Sequence, residues 1–125
     1  MNKLIPSLAL VALAFALHGA GARAATPPAL LPAVLTIHIK DFKYNPTPAE
    51  IHVGDRVTFV NDDNEPHTVT ATDKSYDSEG LDTNNTWQHV YSKPGTYKYF
   101  CELHPYMKAV VIVTPAPPHK EGASS

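Results

Sequence analysis

The sequence predicts an all-β fold, a sandwich built from seven or more short strands. Apolar and polar residues alternate over short segments, and no stretch of useful length repeats its apolar residues with the period of a helix. Turn-forming residues break the alternation at Asn45-Pro46, Gly54-Asp55 and Pro94-Gly95. The candidate strands, in chain order, are Val34 to Lys40, Glu50 to Val53, Arg56 to Asn61, His67 to Thr72, Thr86 to Tyr91, Thr96 to Cys101 and Lys108 to Thr114.

Alternation within these strands also predicts which side chains face the core, because successive side chains of a strand point to opposite faces of a sheet. The apolar faces belong to the first, third and sixth candidate strands. Their predicted core residues are Leu35, Ile37, Ile39, Val57, Phe59, Tyr97, Tyr99 and Cys101. The polar segment from Asp73 to Asp82 is predicted to be a surface loop.

The first 24 residues predict a secretory signal peptide. Lys3 precedes an apolar run from Leu4 to Leu17, and small residues follow that end at Ala24, after which we expect cleavage. The run is too short to span a bilayer and contains Pro6, and no cysteine stands at the cleavage point to accept a lipid. We therefore expect an exported protein without a membrane anchor.

Composition divides the rest of the chain into three parts. Residues 25–33 are proline-rich and predict a linker, and residues 34–114 hold the strands and predict one domain. Residues 115–125 combine proline, serine and charged residues, which predicts a disordered tail.

The charge balance argues against a nucleic-acid partner. Cleavage after Ala24 removes Lys3 and Arg23, so 8 basic residues face 12 acidic ones and the mature net charge is about −4 with neutral histidines. The acidic stretch from Asp62 to Glu65 either steers a basic partner or forms a solvated loop.

Cys101 is the only cysteine of the chain. Oxidising compartments pair cysteines into disulfides, so a leftover thiol in an exported protein is exposed to oxidation. An isolated cysteine is often an inert apolar group in a core. Here His104 lies three residues on and Met107 six residues on, and this spacing favours a metal ligand.

Thiolate, imidazole and thioether together indicate copper. A copper ion that cycles between two oxidation states is suited by one soft thiolate, imidazoles and a weak thioether, whereas hard cations avoid sulfur. His67 is the candidate second imidazole, because it follows a polar loop and opens a strand-like segment. We interpret the remaining histidines as structural or incidental: His18, His38, His52, His89 and His119.

Three segments resemble the cupredoxins, and among them most closely the amicyanins. They are Val53 to Asn61, Pro66 to Val69 and Pro94 to Met107, within a similarity that spans roughly Leu35 to Thr114. The short spacing of Cys101, His104 and Met107 is amicyanin-like. The resemblance implies an eight-stranded Greek-key sandwich, a mononuclear blue copper site that cycles between Cu(I) and Cu(II), and an electron-carrier role in a bacterial periplasm.

The resemblance also implies the role of each candidate ligand. His67, Cys101 and His104 would be equatorial ligands, and Met107 the weak axial one. Around them we expect hydrogen bonds to the thiolate from Thr68 and from the side chain of Asn61. Amicyanin-like chains commonly carry asparagine where this chain has Thr68.

His104 is the candidate electron port, because one ring nitrogen can bind copper while the other faces solvent. Pro66, Pro105 and Tyr106 are expected to form an apolar rim around it, since small apolar patches suit short-lived redox encounters. The alternative is that Pro105 and Tyr106 only shape the turn. The family comparison offers a dehydrogenase or a c-type cytochrome as partner by analogy, and we expect a monomer.

Three function classes follow from this sequence. An electron carrier is favoured over a copper-holding or delivery protein, which would need a more open site. An enzyme is disfavoured because Phe100 and Glu102 flank Cys101 where multicopper oxidases carry histidines, and because a dinuclear copper centre would need a second cysteine.

Overall fold

A computed structural model describes residues 31–118, together with Gly19 and Gly21. This part of the chain folds into eight strands without a helix, which confirms the predicted β-sandwich. The strands are β1 Val34–Lys40, β2 Lys43–Asn45, β3 Ala49–His52, β4 Arg56–Asn61, β5 Thr70–Ala71, β6 Thr86–Val90, β7 Gly95–Phe100 and β8 Lys108–Thr114.

The predicted signal peptide apart from Gly19 and Gly21, most of the predicted linker and the end of the predicted tail lie outside the described residues. Among the residues that the structure does describe, none belongs to a helix long and apolar enough to cross a membrane.

The strands form two four-stranded sheets. One sheet has the order β2-β1-β4-β6 and the other β3-β8-β7-β5. β1 runs parallel to β4 and β3 parallel to β8, while the other neighbours are antiparallel. Most strands therefore pair with partners that are distant in the sequence, and only β1–β2 and β7–β8 are consecutive. The turn that joins β7 to β8 contains Cys101, His104 and Met107.

The core lies between the two sheets, as the alternation predicts. Ile37, Ile39, Val57 and Phe59 are fully buried, and Tyr99 is 1% exposed. Burying a side chain of this size contributes roughly 1.5–3 kcal/mol. The sandwich therefore has a well-filled core on which the turns at one end can be held in place.

The structure differs most from the candidate strands in two places: one strand is additional and one is shorter than predicted. β2 has no predicted counterpart, because its three residues are too few to show a period and it is held by backbone pairing to β1. The predicted strand from His67 to Thr72 is reduced to Thr70–Ala71. Its first residues leave the sheet because the N–H of Thr68 donates to Cys101 Sγ and the N–H of Val69 to Ser78 Oγ.

The segment from Asp73 to Asp82 is only partly the surface loop that its composition predicts. Tyr76 is 8% exposed and Leu81 is 5% exposed, so both join the core. Leu81 and His67 exchange two backbone hydrogen bonds, with N–O distances of 2.7 and 3.1 Å. This loop therefore folds back and fixes the backbone of His67.

His89, which the sequence does not predict to be a metal ligand, lies in an aromatic cluster. Its ring stacks on Trp87 at 5.4 Å between centroids, approaches Tyr76 at 4.4 Å and meets Tyr91 edge-on at 4.7 Å. Burial lowers the pKa of His89 below its ordinary value of 6.5, because the charged imidazolium would lose hydration there.

Because the pKa of His89 is lowered, this residue should make the free energy of unfolding decrease as the pH falls. The folded state binds this proton less readily than the unfolded state, so the stability is fully present above pH 6.5 and is lost as the pH falls below it. Urea unfolding of the metal-free protein at pH 5 and pH 7.5, compared with His89→Gln, measures the effect. The variant should show a weaker pH dependence, and an identical dependence would contradict this role.

Candidate metal centre

The turn between β7 and β8 gathers three of the four candidate ligands. The N–H of Cys101 donates to the carbonyl of Met107 at 3.1 Å, and the N–H of Met107 donates to the carbonyl of His104 at 2.8 Å. Because Cys101 directly follows β7 and Met107 directly precedes β8, these bonds close a tight loop at the end of the sheet. Met107 is 2% exposed.

The fourth candidate, His67, reaches the same point from the other side of the sandwich. Its Nδ1 lies 3.8 Å from Cys101 Sγ, and His104 Nδ1 lies 3.7 Å from the same sulfur. One donor atom from each of the three residues lies within 4.8 Å of the others. These separations leave room for one ion about 2.0–2.3 Å from each atom.

Burial differs among the three residues. His67 and Cys101 are fully buried, whereas His104 is half-buried at the surface end of the cluster. Solvent therefore approaches this site from the side of His104. Within the described part of the chain, no other group of histidine, cysteine, aspartate or glutamate residues comes together in this way.

Thr68 joins the two segments that carry the candidate ligands. Its backbone N–H donates to Cys101 Sγ at 3.3 Å, and its hydroxyl oxygen accepts the N–H of Glu102 at 2.8 Å. The hydroxyl of Tyr44 donates to the carbonyl of Thr68 at 2.5 Å. Thr68 thus bridges the His67 segment and the turn.

The side chain of Asn61 hydrogen-bonds to the loop before His67 and to Leu81, not to the thiolate as the sequence predicts. Its side-chain amide donates to the carbonyls of Glu65 and Leu81, each at 2.8 Å, and its oxygen accepts the N–H of Asp63 at 2.9 Å. Asn61 is fully buried. It therefore holds the loop before His67, instead of donating to Cys101.

Asp63 contacts the candidate ligand His67, which the sequence pattern does not reveal. Its Oδ2 lies 2.9 Å from His67 Nε2 and 3.0 Å from the N–H of Phe42. The hydrogen bond from the Phe42 N–H, and then that from His67, lower the pKa of Asp63, so its carboxylate is ionised and accepts the imidazole N–H. This contact places the proton of His67 on Nε2 and leaves Nδ1 free to bind a metal.

The acidic stretch beside His67 is thus neither a uniform steering surface nor a simple solvated loop. Asp63 is 7% exposed and belongs to the site, and Asp62 pairs with His38 Nδ1 at 2.5 Å. The spacing of four residues between Asp63 and His67 is a weak signal, because sequence alone does not show that the loop turns the carboxylate inward.

Phe42 covers the cluster from the turn between β1 and β2. Its ring meets the rings of His67 and His104 edge-on, with centroids 5.4 and 5.0 Å apart. Phe42 is 37% exposed and has a φ of 57°, a backbone conformation unusual for a bulky residue. Nothing in the local sequence indicates this contact, which depends on the fold.

The rim around His104 is apolar and exposed, and it combines the predicted residues with one more. Tyr106 is 69% exposed, with its ring centroid 6.1 Å from that of His104, and Leu103 is 52% exposed. Pro66 and Pro105 are also exposed. The four exposed side chains thus belong to the two segments that carry His67 and His104, and Tyr106 contacts the half-buried imidazole of His104.

This donor set fits copper on chemical grounds. One thiolate, two imidazoles and a nearby thioether match the soft and borderline ligands of a blue copper site. Hard cations such as magnesium and calcium prefer oxygen ligands, and the carboxylate of Asp63 beside His67 already accepts two hydrogen bonds.

Comparison with known proteins agrees with this geometry. A family model described as a cupredoxin-like domain matches residues 7–113. Amicyanin-alpha of Methylorubrum extorquens is 32% identical over 82 residues, which cover 62% of this chain and 69% of that protein. Amicyanin of Paracoccus denitrificans is 28% identical over 118 residues, which cover 84% of this chain and 90% of that protein.

Solved structures show the same likeness. A novel purple cupredoxin from Nitrosopumilus maritimus superimposes with a TM-score of 0.62 at 32% identity, covering 64% of this chain and 99% of that one. A copper-containing nitrite reductase from Thermus scotoductus gives a TM-score of 0.64 at 29% identity, with 72% of this chain but only 24% of the enzyme covered. The chain belongs to the cupredoxin-like domain family, and within that family it is similar to the amicyanins.

Proposed function

We propose that this protein is a small blue copper protein that carries single electrons between redox partners. The observation that supports this most directly is the convergence of His67, Cys101 and His104 within 4.8 Å, beside the buried Met107. Copper bound there would supply one-electron chemistry by alternating between Cu(I) and Cu(II). His67, Cys101 and His104 would be its strong ligands and Met107 its weak axial ligand.

The protein's own contribution is to keep these side chains in one arrangement. Asp63 orients His67, the Thr68 N–H donates to the Cys101 sulfur, and two backbone hydrogen bonds close the turn. Ligands that are fixed by the fold do not need to move when the charge of an ion changes, so little reorganisation accompanies electron transfer. Phe42 and the burial of the cluster limit the access of water.

His104 would be the port through which electrons enter and leave. It is the most exposed of the three residues, it contacts Tyr106, and the exposed residues Pro66, Leu103 and Pro105 lie in the same two chain segments as the candidate ligands, which supports an apolar docking surface there. Such a surface suits brief contact with another redox protein. We propose a dehydrogenase or a c-type cytochrome as the partner class and a monomer as the carrier.

Copper holding or delivery is the second candidate function, favoured by the exposure of His104. The burial of His67, Cys101 and Met107 supports the carrier instead, because a delivery site must release its ion readily. An enzymatic role is not proposed. Phe100 and Glu102 flank Cys101, and the chain spans only 24% of the nitrite reductase it resembles.

We further propose that residues 1–24 direct export to the periplasm and are removed, and that residues 34–114 form the working domain. The charged start, apolar run and small residues before position 25 support this proposal. Mass spectrometry of the protein recovered from the periplasm of the expressing cells tests both the location and the cleavage after Ala24.

Electron exchange tests the proposed function. The copper-loaded protein, mixed with a c-type cytochrome in a stopped-flow instrument, should be reduced and reoxidised repeatedly without loss of copper. Transfer of Cu(I) to a chelator at a rate that competes with electron exchange would favour delivery.

Replacing Met107 with leucine should keep copper bound and raise the reduction potential. Removal of a sulfur donor disfavours Cu(II) more than Cu(I), while His67, Cys101 and His104 remain. Protein-film voltammetry measures the shift, with Tyr106→Phe as the neighbouring control that should leave the potential unchanged. A potential equal to that of the unmodified protein would show that Met107 is not an axial ligand.

A further inference from the structure

A lysine-lined groove runs over the outer face of β7 and β8, beside the candidate metal centre. Phe100 and Val110 are among the residues of its apolar lining, Lys98 and Lys108 are exposed at its sides, and Pro105 of the metal turn also lines it. Its volume is about 720 Å³. We call it the lysine groove.

A smaller cavity adjoins the lysine groove. It has a volume of about 180 Å³, shares Thr47 and Lys108 with the groove, and is also lined by Lys43 and Tyr106. Thr47 Oγ1 accepts the N–H of Val110 at 3.2 Å, which ties the loop between β2 and β3 to the sheet. The two cavities therefore form a continuous, largely pre-formed surface that reaches the apolar rim of His104.

All charged residues that line the two cavities are lysines. No carboxylate lines either cavity, and Lys43, Lys98 and Lys108 take part in none of the ion pairs found within residues 31–118. Lys74 lies over the Phe100 ring at 5.1 Å, but its charge is paired with Glu102. The acidic stretch before His67 differs, because Asp62 pairs with His38 and Asp63 with His67.

We propose that the lysine groove binds an extended acidic segment of a partner protein. An apolar side chain of the segment would pack on Phe100 and Val110, and carboxylates on either side of it would pair with Lys43, Lys98 and Lys108. Because the groove has an apolar lining and cationic sides, its ligand should carry both an apolar side chain and carboxylates. This partner differs from the basic one that the acidic stretch from Asp62 to Glu65 would steer.

Docking in the lysine groove would place the partner beside His104, since Pro105 and Tyr106 line the two cavities. That consequence rests on the proposed electron-carrier function, whereas binding of the segment does not. The net charge of the chain is negative, so the attraction must be local. Screening limits it to about 10 Å at 0.1 M salt.

A synthetic peptide of glutamates and aspartates with one central phenylalanine tests the proposal. It is titrated into the full ¹⁵N-labelled chain, in the metal-free and the Cu(I)-loaded forms, and amide chemical shifts are followed at low salt. The largest shifts should fall on Lys98, Phe100, Lys108 and Val110. Because an exposed ion pair contributes at most about fivefold to affinity, Lys98→Gln with Lys108→Gln should weaken binding by about tenfold.

The matched control carries Lys40→Gln and Lys93→Gln, which change the net charge equally but lie outside both cavities. It should retain the peptide affinity. Equal weakening by the two double variants, or shifts that map elsewhere, would overturn the proposal. Inorganic phosphate that shifts the same amides as strongly would also overturn it, by showing a simple anion site instead. The titration measures peptide binding and no electron transfer. Its result therefore does not depend on whether the protein carries electrons, which the stopped-flow experiment tests separately.

Discussion

Cys101→Ser is expected to remove the intense visible absorption of the copper-loaded protein and to weaken copper binding by more than about 100-fold. Loss of a residue that only hydrogen-bonds to a metal ligand weakens metal binding by up to about 100-fold. Loss of a ligand itself should weaken binding more. The colour depends on charge transfer from the thiolate to Cu(II), which a serine hydroxyl does not provide. Visible spectra and a competition titration against a copper chelator measure both effects.

The fold should survive this substitution. Serine is close in size to cysteine, and its oxygen can still accept the Thr68 N–H, which lies 3.3 Å from the sulfur in the unmodified chain. An unchanged far-ultraviolet circular dichroism spectrum is the control for folding. A serine variant that stays blue would show that the thiolate is not the source of the colour.

Asp63→Asn is expected to weaken copper binding by about 10–100-fold and to raise the reduction potential. The carboxylate that accepts the His67 N–H increases the basicity of the imidazole, which favours Cu(II), and a neutral amide does so much less. The 2.9 Å contact between Asp63 Oδ2 and His67 Nε2 is the structural basis of this prediction. Voltammetry and a competition titration against a copper chelator measure the two effects.

Asp62→Asn provides a matched control on the neighbouring residue. Both substitutions remove one negative charge, but the Asp62 side chain is 38% exposed and pairs with the exposed His38. We expect its copper affinity to change little, since exposed ion pairs contribute at most about 1 kcal/mol. Equal effects of the two substitutions would mean that Asp63 acts only through its charge.

Strands with one buried face could be predicted from the sequence, and the shortest ones could not. β1, β4, β7 and β8 have an apolar residue at every second position, and Ile37, Phe59, Tyr99 and Val111 are buried accordingly. β2 and β5 contain three and two residues and depend on pairing with β1 and β7. Such short segments follow their neighbours, so their own residues show no period.

The residues of the candidate metal centre also fall into two groups, those that local sequence predicts and those that only the fold brings together. Cys101, His104 and Met107 lie within one turn, so their local spacing alone indicates that they meet at a common point. Asp63 and Phe42 are 21 residues apart and meet only because β1 and β4 pair in parallel and bring their following turns together. Contacts that depend on sheet register cannot be read from local sequence.

Binding of one copper ion through Cys101 and two imidazoles is the property on which the proposed function depends. One equivalent of Cu(II), added to the metal-free protein, tests it through the visible and electron paramagnetic resonance spectra, followed by reduction and reoxidation. An intense blue band with narrow copper hyperfine splitting, which bleaches and returns reversibly, is the predicted result. A protein that stays colourless, or that loses its thiol by oxidation, would contradict this mode of copper binding.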